Sequence, residues 1–166
     1  MEENYLPAEE QEAEKNLPFQ TKNVLNNSSV IAKGFGFSKP EKLKKKAVID
    51  DIFLKGKAIQ KNSFAFLYLE QPNAAGVPVQ AMFAVSKRNF KHATDRNRIK
   101  RLMREAWRTQ KNLVYEKAIA QQKQYAVCLM FKGREIPPFS IVNTTVKELL
   151  ERFCKSIAAM QNKTSS

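Results

Sequence analysis

The chain has 166 residues, 43% of them hydrophobic, and a formal charge of +13. That is enough for one domain with a real core and a tail. Residues 1–32 carry a net of −4, which leaves +17 on residues 33–166, a field that asks for a polyanionic partner: nucleic acid, an anionic membrane surface, or both. The acidic start "MEENYLPAEE" is not a signal peptide. The longest apolar run, "YAVCLMF" at 125–131, falls far short of the ~20 residues that span a bilayer, so a cytoplasmic protein with no membrane partner is expected. Cys128 and Cys154 sit in apolar patterns without a CxxC pair and read as small buried hydrophobes.

In chain order, residues 1–36 are polar and aperiodic and predict a disordered or loosely attached acidic tail. The domain proper spans 37–160, and 161–166 is expected to fray. Pro40 suits a helix start, and "EKLKKKAVIDDIFLKG" predicts a first helix capped by Gly56. "SFAFLYLE" at 63–70 predicts a strand with Phe64, Phe66 and Tyr68 on one face. "VQAMFAVS" at 79–86 is a further strand, with room for a short one before it. A second helix is expected over 95–111, capped by Thr94 or Asp95. "YAVCLMF" is a buried strand, and "SIVNTTVKELLERFCKSIAAM" a third helix. The order α-β-β(-β)-α-β-α predicts a two-layer α+β sandwich.

The second helix holds the functional signal. "DRNRIKRLMREAWR", residues 95–108, has six basic and two acidic side chains. At 100° per residue, Ile99, Leu102, Met103 and Ala106 form the inward face, with Trp107 at its edge. Asn97, Arg101, Arg104 and Arg108 share the opposite side, flanked by Arg98 and Lys100, a stripe of roughly 17 Å. Arginine dominates it, and a guanidinium offers a planar fork matched to phosphate oxygens. A solvated face has no need of such forks.

"SKRNFKHATDRNRIKRLMREAWR", residues 86–108, resembles the bacterial ribonuclease P protein subunit. That family carries a Ser-Lys-Lys strand end, a short loop and the signature Arg-Asn-Arg-(Ile/Val)-Lys-Arg-x-x-Arg-Glu-x-x-Arg. Here it is Arg96, Asn97, Arg98, Ile99, Lys100, Arg101, Arg104, Glu105 and Arg108. "LKKKAVIDDIFLKG" resembles the family's first helix through Leu43, Ile52, Phe53 and Gly56. The likeness covers about residues 40–158. It departs where Ile49 replaces a Phe, where Arg88 replaces the second Lys, and in a glycine-free loop that is one residue longer.

The resemblance implies an α-β-β-β-α-β-α order with a left-handed βαβ crossover, like a ribosomal-protein second domain. It also implies that Lys87, Arg88 and Lys91 join Arg96, Asn97, Arg98, Lys100, Arg101, Arg104 and Arg108 against a catalytic RNA subunit, one protein to one RNA. A cleft beside the first helix would hold the 5′ leader of precursor tRNA. Ile49, Phe53, Phe64 and Phe66 are its candidate lining, the last two equally readable as plain core. Hydrolysis would belong to the RNA, with Mg²⁺ bound mainly there.

The residues offer no catalytic set of their own. His92 is the one histidine and has no visible carboxylate partner. Asp50 and Asp51 are adjacent and point about 100° apart, poor joint ligands for one Mg²⁺. The rival readings are a ribosomal or other structured-RNA-binding protein, an independent nuclease, and a major-groove DNA reader lacking any dimerisation signal.

Overall fold

The computed structural model describes residues 36–164, with side chains through residue 160. The expectations for the tail before residue 36 and for the last residues therefore lie largely outside the described residues. The order is α1 (Lys46–Lys55), β1 (Lys57–Lys61), β2 (Phe64–Glu70), β3 (Val79–Val85), α2 (Ala93–Ala120), β4 (Tyr125–Phe131) and α3 (Phe139–Thr164). The sheet runs β1-β2-β4-β3. It is antiparallel except between β3 and β4, which are parallel and joined through α2. A parallel pair needs such a crossover, because a tight hairpin cannot return the chain in the same direction.

One face of the sheet meets the layer of α2 and α3. Phe64, Phe66 and Tyr68 of β2, with Val127 and Leu129 of β4, pack there against Ile99, Met103 and Trp107 and against Leu150 and Phe153. Phe153 is the hub, its ring 4.8 Å from Tyr68 and 5.3 Å from both Phe66 and Tyr125. On the other face α1 covers a smaller cluster. Leu43, Ile52, Ala126 and Cys128 are buried there, with Val48, Ile49, Leu67, Leu69, Met82 and Ala84 half-buried around them. Both cysteines are free and buried, and burial pushes the Cys128 thiol up to about 12. This is the state of a packing residue, not a nucleophile.

Three boundaries differ from expectation, each for a tertiary reason. The first helix begins at Lys46, not Pro40. Residues 41–43 instead run along the outer edge of β3, where Ala81 N–H donates to Glu41 O (2.8 Å) and Leu43 N–H to Ala81 O (3.0 Å). Backbone committed to a sheet edge cannot close helical turns.

The extra strand lies before 63–70, at Lys57–Lys61, not before 79–86. It closes a hairpin on β2 through Asn62, which adopts φ 50°, a left-handed conformation that Asn tolerates well. Its two terminal lysines suit an exposed sheet edge, since charge there discourages pairing with another chain.

The second helix runs on from 111 to Ala120, with His92 in the capping position and no side-chain cap from Thr94 or Asp95. Val114, Tyr115 and Ala118 continue its buried stripe. Lys111 interrupts that pattern in sequence, yet it is only 2% exposed. Its ammonium is paired with the Glu41 carboxylate and also donates to Gly36 O. Tyr115 Oη donates to the same Glu41 oxygen at 2.7 Å.

Glu41 is 1% exposed. Burial alone would raise its carboxyl pKa, but hydrogen bonds from Lys111, the Ser38 backbone, Tyr115 and the Ser38 hydroxyl together hold it below the ordinary 4.5. Burial, and then the charge of Glu41, push the Tyr115 phenol far above its ordinary value. This network fastens the segment leading into the domain across the β3 edge onto α2.

Candidate nucleic-acid interface

The cationic face is built by the inner face of α2. Ile99, Met103, Ala106 and Trp107 are fully buried, so the helix cannot roll. Asn97, Arg98, Arg101 and Arg104 are thereby left exposed, with Lys100 half-buried beside them. Arg108, at the end of the stripe, is half-buried, and its Nε donates to Glu105 Oε2 at 3.0 Å. That hydrogen bond holds the Glu105 carboxyl below its usual range and raises Arg108. The stripe is thus neutralised at its distal end.

The loop 86–92 extends the face toward the start of α2. Lys87, Arg88, Lys91 and His92 are exposed, while Phe90 is buried against Phe131 with ring centroids 6.1 Å apart. Arg96 behaves differently from the rest of the expected set. Its guanidinium donates to Phe90 O (2.8 Å) and Lys91 O (2.7 Å). It shapes the loop from within, and its remaining N–H groups are what it can offer outward. Asn89, which composition gave no reason to single out, donates from Nδ2 to Lys132 O (2.7 Å) and Gly133 O (3.0 Å). The loop is therefore held by Asn89, Phe90 and Arg96 while its cations stay outside. The N-terminal end of α2 adds its own partial positive charge at this place.

The expected cleft lining divides. Phe53 projects from α1 with 49% of its surface exposed, and Ile49 is half-buried against the small cluster. Phe64 and Phe66 do not line this side. They are 2% and 0% exposed and sit in the main core under α2 and α3, Phe66 stacked on Trp107. The reason is the alternation of a strand: successive side chains point to opposite faces. Those turned toward the α1 side from β2 are Leu67 and Leu69. Strand periodicity shows which residues share a face, but not which face α1 covers.

Among the described residues, no three His, Cys, Asp or Glu side chains converge as a metal site. Asp51 is instead paired with Lys55 at 3.0 Å. No helix among the described residues is long and apolar enough to cross a membrane.

Fold and surface together define a small basic α+β module that presents one cationic helix, and the loop before it, to solvent. The chain belongs to the ribonuclease P family, whose model, described as Ribonuclease P, matches residues 37–154. It is 29% identical over 130 residues to the ribonuclease P protein component of Porphyromonas gingivalis, covering 77% of this chain and 95% of that one. The counterpart from Chlorobium phaeobacteroides is 30% identical over 122 residues, covering 68% and 84%. The ribonuclease P protein of Thermotoga maritima shares the fold, with a TM-score of 0.54 at 22% identity, covering 67% of this chain and 96% of that one.

Proposed function

We propose that this chain is the protein subunit of ribonuclease P. It binds the catalytic RNA and the 5′ leader of precursor tRNA, one protein per RNA, and assists Mg²⁺-dependent removal of the leader. The observation that carries this reading is the exposed row Asn97, Arg101 and Arg104, continued by Lys87, Arg88 and Lys91, in a chain whose match to the family spans those residues.

The protein's contribution is electrostatic and positional. Cations on α2 and its loop offset the phosphate repulsion between two RNAs, which lowers the Mg²⁺ they need. The ion is held mainly by the RNA. On the α1 side Phe53 supplies a ring for an unpaired leader base, a contact worth on the order of 1–3 kcal/mol.

The test is 5′ processing of a precursor tRNA by the cognate catalytic RNA at low Mg²⁺, with and without the protein. Stimulation is expected, and its absence favours a structured-RNA-binding protein with no enzymatic complex. Protein freed of RNA should not cleave the precursor; cleavage would make it an independent nuclease. Arg101→Ala or Arg104→Ala should each reduce the salt dependence of catalytic-RNA binding by about 0.7–0.9 in log–log slope, one phosphate contact. An unaltered slope would remove that face from the interface.

A further inference from the structure

Two loops leave the sheet at the end where the parallel strands finish, Val85 opposite Phe131. One is the cationic loop 86–92. The other, 132–138, follows β4 and reads "KGREIPP". They are fastened to each other and to the sheet. Asn89 donates to two consecutive carbonyls of the second loop, Lys132 O and Gly133 O. Ser86 N–H reaches Phe131 O at 3.4 Å, and Lys132 N–H reaches Ser63 O at 2.8 Å. Gly133 turns the chain directly over the Phe131 ring, where a Cβ would collide with that ring.

The fastened loops carry Lys87, Arg88, Lys91, Lys132 and Arg134, all exposed, against a single acid, Glu135. Elsewhere on the molecule exposed or half-exposed lysines meet carboxylates: Lys55 with Asp51 at 3.0 Å, Lys61 with Glu148 at 2.9 Å, Lys123 with Glu70 at 2.8 Å. Among the described residues none of the five loop cations has such a partner. Like charges held together without an acid repel, and here the backbone hydrogen bonds hold them together. The arrangement is complementary to a run of phosphates. Phe53 stands apart from it. Gly56, which follows α1, lies against the Tyr68 carbonyl, four positions along β2 from Phe64, the partner of Phe131 at the loop end.

We propose that loop 132–138, through Lys132 and Arg134, is a second docking point for the catalytic RNA. It is continuous with loop 86–92 and the start of α2, and Asn89 is the positioning residue that keeps the two loops one surface. The proposal rests on the reading of this protein as the partner of that RNA.

The experiment measures affinity of the full chain for the cognate catalytic RNA across a salt series. The doubly substituted Lys132→Ala/Arg134→Ala protein should lose about 1.4–1.8 from the slope, two phosphates' worth, with an unchanged thermal midpoint. Lys117→Ala/Lys155→Ala removes equal charge, Lys117 lying roughly 36 Å along α2 from its start, and should leave the slope unchanged. Asn89→Ala removes no charge. It should weaken binding in the otherwise wild-type protein and add little in the Lys132→Ala/Arg134→Ala background, the mark of residues acting through one another.

An unaltered slope in the loop variant overturns the proposal, as does an equal loss from both pairs. So does a loss confined to precursor affinity in the assembled enzyme, which would give the loop to the substrate. If the unsubstituted chain fails to bind the catalytic RNA, the underlying reading falls instead, so the two failures are distinguishable.

Discussion

The two faces of the sheet are unlike in depth and in chemistry. One is sealed by two long helices and filled with rings: Phe64, Phe66, Tyr68, Tyr125 and Phe131 under Trp107 and Phe153. The other is crossed by a ten-residue helix and leaves aliphatic side chains half-buried: Leu67, Leu69, Met82 and Ala84. The sheet's aromatics are committed to stability on the closed side. Any ring that is to meet a ligand on the open side must come from α1, and Phe53 is the exposed aromatic there.

The largest effects should fall on the closed face. Phe66→Ala and Trp107→Ala each remove a fully buried ring and should cost about 3–5 kcal/mol in urea unfolding. Phe53→Ala, on the open face, should cost less than ~1 kcal/mol, because half of that ring is already in water. Equal losses at Phe66 and Phe53 would erase the contrast.

The fastening at the sheet edge comes next. Glu41→Ala leaves the Lys111 ammonium buried without its partner, an effect of roughly 3 kcal/mol. Because the folded Glu41 carboxyl titrates below its ordinary 4.5, its contribution is complete above that pH and is lost as pH falls through the depressed value. The wild type should therefore lose stability in that acid window more steeply than Glu41→Gln. Parallel curves would show that Glu41 is not the titrating group.

Functionally, Phe53→Ala should weaken binding of long-leader precursor to the assembled enzyme by about 1–3 kcal/mol and leave a leaderless tRNA unchanged. Equal loss for both would take the leader away from α1. The smallest effect lies at the end of α2, where Gln122 adopts φ 55° and Lys123 N–H bonds back to Ala118 O. Glycine suits that left-handed position: Gln122→Gly relieves a Cβ penalty of about 1–2 kcal/mol, offset by about 0.4–1 kcal/mol of added unfolded-state entropy, so a small rise in the midpoint is expected.

Much of this molecule is legible in local pattern. The strand at 125–131 has the bounds its apolar run suggests, and α2 buries Ile99, Met103, Ala106 and Trp107 as helical spacing requires. The row Asn97, Arg101 and Arg104 is exposed on the opposite side. The family, too, is legible, in one run of residues from Ser86 to Arg108. These features depend on neighbours a few positions apart, and helix and strand periods transmit that information directly.

Only the tertiary structure decided what depends on distant segments. Helix α1 lies across the side of β2 that holds Leu67 and Leu69, which sends Phe64 and Phe66 into the main core. Residues 41–43 pair along β3 where the local pattern reads as helix. Lys111 is buried because Glu41, seventy positions away, faces it, and Asn89 reaches a carbonyl forty-three positions on. Each is a pairing of groups far apart in the chain, set by which surfaces meet, and side-chain periodicity within a single element holds no information about its partner.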